Sequence, residues 1–312
     1  MSLPDEAGGM LWVTAIGIGA LLIGSVVRIV SAGRAPGSKA SERFASLASW
    51  WVIAILVLAA VWTGPWGMLL LMAVITALAI WEFLTLPLQR SVPQGFLWTI
   101  PAVWLLAFAG LSAGWIAVFR VGVPLACLVL PSAVCILTGH TRYSTTAIGE
   151  VTMAGLLLVY ALGHAALLAV LSPANNPVAG VGGWFLFLVA LTQINDICQA
   201  LVGRALGRRR LTSVSPGKTW EGFAGGLGLT VLISIPLGWL LTPLGVGAAA
   251  GAGLLIAVAG LLGDLNMSLI KRDAGVKASG TMVPGQGGIL DRVDSLSFTA
   301  PAFYYYLVFA VT

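Results

Sequence analysis

The sequence predicts an all-α, polytopic integral membrane protein with nine or ten transmembrane helices. Three observations carry this expectation. Of 312 residues, 59% are hydrophobic and only 9% are charged, against roughly 25% charged in an ordinary soluble domain. Mean hydropathy is +0.99. Apolar runs that approach the ~20 residues needed to cross a bilayer as a helix recur along the whole chain.

The runs place ten candidate spans at about 10–30, 49–63, 67–86, 96–112, 121–138, 151–171, 183–203, 223–242, 247–270 and 294–311. The N-terminus, Met1 to Glu6, lacks the basic region of a signal peptide, so the first run is expected as a retained helix. Residues 32–48, rich in Ala, Gly and Ser, read as a flexible cytoplasmic linker. Residues 1–31 then form an extra N-terminal transmembrane helix, and 49–312 form the main domain. The second and third runs are separated only by Thr63-Gly64-Pro65-Trp66, which suits either a tight hairpin or one broken helix. No internal repeat is visible, which gives no support to an inverted-repeat transporter.

Topology follows from the basic residues. With the N-terminus outside, the cytoplasmic segments hold Arg28, Arg34, Lys39, Arg43, Arg90, Arg142, Arg204, Arg208, Arg209, Arg210, Lys218, Lys271, Arg272, Lys277 and Arg292. That leaves only Arg120 of the 16 Lys and Arg outside. The positive-inside rule therefore predicts non-cytoplasmic termini and puts the polar segments 204–222 and 271–293 on one cytoplasmic face.

Composition also narrows function. The net charge of +5 follows membrane topology and is no sign of nucleic-acid binding. Cys127, Cys135 and Cys198 make no CxxC pair and lie in apolar runs, so they are expected as free buried thiols. Two histidines, His140 and His164, cannot build a zinc site alone. No serine–histidine–acid pattern appears.

Polar chemistry concentrates in residues 268–294, which hold four cations, three carboxylates and five glycines. Charge gathered beside membrane helices normally marks a reaction centre or a transport path. Asp264, Ser268 and Lys271 follow i, i+4, i+7 spacing and share one helix face. A carboxylate, a hydroxyl and an ammonium on one stripe suit a metal-bound phosphate; a self-neutralising Asp–Lys stripe is the bland alternative. Asp291 and Asp294, one turn apart, suit a hard cation such as Mg²⁺ or, alternatively, a helix N-terminus. Asp196 is a costly carboxylate inside the seventh run, suited to a metal or substrate role or to helix packing. Gly287 and Gly288, in Gly285-Gln286-Gly287-Gly288, would let backbone N–H groups converge on an anion, as would an ordinary loop. In Ser215-Pro216-Gly217-Lys218-Thr219, Ser is expected as N-cap and Pro as the first helical residue, a phosphate-binding helix start. Thr212 stands where a P-loop requires glycine, and no strand precedes, so the P-loop is rejected. Arg208-Arg209-Arg210 reads as topology and anionic-lipid attraction. Carboxylates, cations, hydroxyls and glycine loops at one membrane face suit metal-assisted phosphoryl or nucleotidyl transfer.

Here the sequence resembles the phosphatidate cytidylyltransferase (CDP-diacylglycerol synthase) family. The resemblance rests on Ser268-x-x-Lys271-Arg272-x-x-x-x-Lys277 and Pro284-Gly285-x-Gly287-Gly288-x-x-Asp291-Arg292-x-Asp294. Upstream it is supported by Asp196, Gly203-Arg204, Ser215-Pro216-x-Lys218-Thr219-Trp220-Glu221-Gly222 and Gly263-Asp264. Trp81-Glu82-Phe83 sits where the family often has a similar triplet. The resemblance spans roughly 48–312. It implies that CTP and phosphatidic acid are joined into CDP-diacylglycerol and pyrophosphate at the cytoplasmic face of the inner or plasma membrane. It implies Mg²⁺, with K⁺ beside it. Asp264 and Asp291 would be metal ligands, with Asp196 supporting the site; Ser268, Lys271, Arg272, Lys218 and Arg292 would contact phosphates. Ser215, Thr219 and Lys277 are carried with the phosphate-binding set, and Asp294 with the metal set.

Five positions depart from the family. Ala278 stands for Asp, Gln286 for His, Gly217 for Lys, and Gln199-Ala200 for Ala-Tyr. They mark a diverged paralogue and keep a second expectation open: a non-catalytic or altered-substrate relative that binds lipid or nucleotide, or aids membrane assembly. An ion-coupled transporter is disfavoured, because the ionisable groups cluster at one face and not at the midplane. A site built by several helices lies either within one chain or near the seam of a homodimer.

Overall fold

A computed structural model describes residues 6–32, 37–87, 94–139, 142–172 and 174–310. The expected positions Arg34, Arg90 and His140 lie outside the described residues. Those described form helices α1 (Glu6–Ala32), α2 (Gly37–Trp62), α3 (Pro65–Thr85), α4 (Gln94–Leu97), α5 (Thr99–Ser112), α6 (Val123–Thr138), α7 (Ser144–Ala154), α8 (Leu162–Val170), α9 (Gly180–Leu206), α10 (Trp220–Leu241), α11 (Val246–Asp273), α12 (Leu290–Val293) and α13 (Leu296–Ala310). Two π-helical turns, Val118–Gly122 and Gly155–Ala161, lead into α6 and join α7 to α8. Among the described residues the only extended pairings are two isolated bridges, Arg210 with Thr219 and Val283 with Gly287. Among the described residues seven helices are long and apolar enough to cross a membrane; each of the ten expected spans falls on helical residues, those at 10–30, 96–112 and 294–311 on helices outside the seven.

The structure differs from the sequence expectation at two joints. The residues expected as linker at 37–48 are the first turns of α2. The segment after α2 makes a hairpin, not a break. Gly64 takes a left-handed φ of 84°, and Pro65 opens α3, where its missing N–H costs nothing.

The core sits around α8 and the first half of α9. Every residue from Leu162 to Ala169 and from Gly182 to Leu188 is buried. These stretches are apolar on all sides, as a central helix must be. His164 is fully buried among Phe119, Tyr160 and Tyr304. Its Nδ1–H donates to the Tyr160 carbonyl at 2.8 Å, which makes it a core residue. Cys127, Cys135 and Cys198 are free and buried, as expected. Arg120, at the head of α6, donates to the Tyr304 hydroxyl and lies over its ring. Tyr304, on α13, lies ten residues beyond Asp294, so this cation is set apart from the acidic cluster.

The closest helix pair is α9 with α10. A Cβ at Gly226 would stand 2.8 Å from both the backbone N and Cα of Gln199, so only glycine lets the helices approach this closely. At their contact Asn195 is fully buried. Its Oδ1 accepts from Gln199 Nε2 at 3.0 Å and from the Thr230 hydroxyl at 3.2 Å. Overpacking such a contact costs about 1–3 kcal/mol. We expect Gly226→Val to lower the thermal unfolding midpoint in detergent by several degrees. Gly228→Ala, which meets nothing within 4 Å, should leave it unchanged.

Candidate active site

The C-terminal halves of α9 and α11, the end of α12 and the loop before it surround one polar cleft of about 890 Å³. Asp196 comes from α9, Asp264 from α11, and Asp294 from the turn between α12 and α13. Lys271, Lys277, Arg204 and Arg292 supply positive charge, and Gly285, Gln286 and Gly287 form part of the wall. The opposite wall is α2, through Ser46 and Trp50.

Asp196 accepts from the Ser295 hydroxyl at 3.1 Å. Asp294 accepts from the Ser295 N–H at 2.8 Å. Asp264 pairs with Lys218 at 2.5 Å. Burial works against the Lys218 ammonium, but Asp264 beside it, with Asp196 and Asp294 beyond, outweighs burial and raises its pKa above the ordinary value. The lysine thus marks the point where the fields of three carboxylates converge.

Lys271 pairs with Asp291 at 2.6 Å. The Asp264–Lys271 stripe therefore does not neutralise itself; each charge is met from a different loop. The second oxygen of Asp291 accepts the N–H groups of Ser279 at 3.0 Å and Gly288 at 3.1 Å. Burial pushes the Asp291 carboxyl up, yet Lys271 and these two N–H groups hold it below the ordinary carboxylate value. Asp291 thus lines the cleft while both its oxygens organise the loop.

The expected helix start at Ser215 is corrected. Residues 215–218 form a turn in which the Lys218 N–H meets the Ser215 carbonyl at 3.0 Å, and α10 begins at Trp220. Thr219 is the N-cap: its backbone is extended and its hydroxyl accepts the Gly222 N–H at 3.0 Å. The turn wins because Lys218 and Leu211 are bonded across it, and Glu221 accepts the N–H groups of Arg208 and Arg209 at 3.0 and 3.1 Å. Ser215, Lys218 and Thr219 line a recess of about 320 Å³ that shares Ala200 and Arg204 with the cleft.

Two expected residues stand apart. Ser268 is buried on α11 and does not line the cleft. Arg272 is exposed and reaches the Val214 and Val276 carbonyls at 3.5 Å, bracing the two polar loops against each other. Gly288 serves through its N–H to Asp291, while Gly287 faces the cleft.

The sequence reading gave no structural role to Ser46, Ser49, Trp50 and Glu82, and read Gln286 only as a departure from the family pattern. Gln286 Nε2 donates to the Ser46 carbonyl at 2.6 Å, and its Oε1 accepts from Arg292 at 3.4 Å. The Ser49 hydroxyl donates to the Pro284 carbonyl at 2.8 Å. Ser46, Ser49 and Trp50 carry no motif. Glu82 reaches the loop from α3, with its Oε2 accepting the Leu290 N–H at 2.7 Å; a single carboxylate in a 21-residue apolar helix was its signal.

A second cavity, of about 200 Å³ and almost wholly apolar, lies among α2, α3, α9 and α13. It shares Trp50, Gln193 and Arg292 with the polar cleft. Arg292 thus stands at a junction between charge and hydrocarbon, and its buried Nε has no partner among the described residues.

A profile of the cytidylyltransferase family matches residues 44–310. An uncharacterized protein of Escherichia coli K12, YnbB, is 38% identical over 289 residues, covering 92% of this chain and 94% of that protein. The phosphatidate cytidylyltransferase of Synechocystis is 50% identical over 114 residues, 36% of this chain and 39% of that protein. That of Haemophilus influenzae is 37% identical over 132 residues, 40% and 46% respectively. The match thus spans less than half the length of either phosphatidate cytidylyltransferase. Nearly the whole of α2 to α13, with the polar cleft they build, lies inside the profile, and the chain is a multi-pass membrane protein that belongs to the cytidylyltransferase family.

Proposed function

We propose that this chain transfers CMP from CTP to a membrane lipid phosphate, phosphatidic acid, giving CDP-diacylglycerol and pyrophosphate. The observation that carries the reading is the junction of the polar cleft with an apolar cavity at Trp50, Gln193 and Arg292. A soluble acceptor needs only the first compartment. A lipid phosphate needs both, with its phosphate at Arg292 and an acyl chain between α2 and α3.

In this reaction an oxygen of the lipid phosphate bonds to the α-phosphorus of CTP. The bond from that phosphorus to the β-phosphate oxygen breaks, and its electron pair leaves with pyrophosphate. A phosphate monoester has its second pKa near 6, so at neutral pH the attacking oxygen is largely deprotonated. The step therefore needs no general base, which suits a cleft with glutamine at 286. Lys218, Lys271 and Arg292 gather the phosphates and offset their charge.

Mg²⁺, with K⁺ beside it, belongs to the proposal. When bound it neutralises the triphosphate. One or two of Asp264, Asp196 and Asp294 would hold it, with Asp291 setting the loop beside them. Mg²⁺ typically takes one or two carboxylates and completes its shell with substrate phosphates and water. That habit agrees with a cleft in which, among the described residues, no three His, Cys, Asp or Glu side chains are placed to cage an ion. Fifteen of the 16 basic residues fall in the segments assigned to the cytoplasm, which supports a cytoplasmic cleft in the inner membrane within reach of CTP. All groups named come from one copy of the chain, so the reaction as proposed requires no homodimer.

A second reading has its own observation. The match along nearly the full chain is to an uncharacterized protein, and Ala278 and Gln286 stand in the cleft wall. Under this reading the same chemistry serves a different lipid phosphate, or the cleft binds without turnover.

Purified protein with Mg²⁺, K⁺, phosphatidic acid and labelled CTP is expected to form a lipid-extractable product. Asp264→Asn should reduce the rate at least ~100-fold, as loss of a charge-stabilising group typically does, while the protein still folds. Product from another lipid phosphate alone would favour the second reading, and equal rates in wild type and Asp264→Asn would remove the assignment of the acidic cluster.

Ile75 lines the apolar cavity. Ile75→Trp should raise the KM for long-chain phosphatidic acid roughly 10-fold, the scale on which hydrophobic pockets discriminate, and leave the KM for CTP within about twofold. Steady-state kinetics in mixed micelles would check this.

A further inference from the structure

Glu82 is the only carboxylate of α3, and it is 2% exposed. Its own helix gives it no reason to be there, since Ala79, Ile80 and Phe83 around it are core residues. Its carboxylate points instead into the loop between α11 and α12. Oε2 accepts the Leu290 N–H at 2.7 Å and the Ser279 hydroxyl at 3.2 Å. Oε1 has no partner among the described residues. The loop is wrapped around this group from two sides: a Cβ added at either Gly280 or Gly288 would overlap the Glu82 carboxyl.

The same two stretches of loop are held by Asp291. Ser279 gives its hydroxyl to Glu82 and its N–H to Asp291; Gly288 gives its N–H to Asp291 and Leu290 its N–H to Glu82. The other oxygen of Asp291 holds Lys271 in the cleft. A continuous set of contacts thus runs from the membrane helix α3 to an ammonium in the reaction cleft.

We propose that Glu82 is a positioning residue of the cleft: it fixes the 279–290 loop on α3 and thereby sets the places of Gly287, Asp291 and Lys271. This rests on reading the cleft as the reaction centre, so the test includes a readout that needs no turnover. Glu82→Gln keeps one oxygen for the two donors that Oε2 now serves, whereas Glu82→Ala removes both bonds.

Hydrogen exchange of peptides spanning 276–291, in nanodiscs, is expected to be at least ~10-fold faster in Glu82→Ala and near wild type in Glu82→Gln. Turnover of CTP should fall about 100-fold in Glu82→Ala, the scale expected when reacting groups are misplaced by about 1 Å, and less than ~10-fold in Glu82→Gln. Gly288→Ala should also speed exchange, and the double variant Glu82→Ala/Gly288→Ala should be no worse than Glu82→Ala alone, because the clash has lost its partner. Wild-type exchange in Glu82→Ala would overturn the proposal, as would fast exchange with undiminished turnover. If Glu82→Ala fails to fold, the contrast between Gly288→Ala and Glu82→Asp decides, both being expected to loosen the loop. A wild type without turnover on any lipid phosphate would sink the reading of the reaction and leave the exchange contrast to decide how the loop is held.

Discussion

Lys218 and Asp264 meet between a polar loop and a helix otherwise built largely of Ala, Gly, Leu and Ile. Two turns further along α11, Lys271 meets Asp291 from the other side. One helix face therefore carries a carboxylate and an ammonium, and each takes its counter-charge from a different loop. The four side chains are only 9–22% exposed. Pairs at a fully wetted surface contribute little, but removing one partner of a buried pair typically costs about 3–5 kcal/mol, because a charge is left without its match. The walls of the cleft depend on both pairs at once: the 207–219 loop has α11 as its anchor through one, and the α12 loop through the other.

That arrangement needs a scaffold which tolerates polar groups beside hydrocarbon. Adjacent residues on α9 divide the task. Asn195 turns toward α10 and holds Gln199 and Thr230, while Asp196 turns toward the cleft and Ser295. The close approach at Gly226 makes the first contact dry and short, since no side chain intervenes. A buried amide in hydrocarbon is costly unless bonded, so the bond from Thr230 on α10 to Asn195 favours one rotation of α9. With that rotation set, the carboxylate one residue later has a single direction open to it. Helix packing and site geometry are in this sense one constraint.

Much of this was legible in the sequence, because hydropathy and charge are local properties. The ten apolar runs each became a helix, and the polar residues 268–294 became the cleft wall. Asp196, Asp264, Lys271 and Asp291 stood out from charge in an apolar context, and Arg292 was named through the family resemblance. The departures share a physical cause: they depend on partners distant in the chain. Ser215 has the local signature of an N-cap, but the bond between Lys218 and Leu211 and the grip of Glu221 on Arg208 and Arg209 move the helix start to Thr219. Residues 37–48 have linker composition, yet they begin α2, whose next residues meet the 284–286 turn. Ser268 has the right spacing on α11, but its hydroxyl is buried beside the cleft and not in it. Glu82 was noticed only within the Trp81-Glu82-Phe83 triplet, with no role attached, because its partners lie about two hundred residues away.

Gln286 shows what the geometry adds to a departure from a family pattern. As a sequence fact, glutamine in place of histidine removes a group that can take up a proton at neutral pH. In the structure the side chain is a bridge: its amide N–H donates to the Ser46 carbonyl and its oxygen accepts from Arg292. A neutral amide offers both functions at once, whereas a neutral imidazole must commit one nitrogen to each. The bridge joins α2 to the cation at the boundary of the polar cleft and the apolar cavity. A residue there holds Arg292 against α2, and that bridge is made without acid–base chemistry. The substitution is therefore weak grounds for a loss of catalysis. It bears more directly on how tightly the wall formed by α2 is tied to Arg292, the arginine proposed to meet the lipid phosphate.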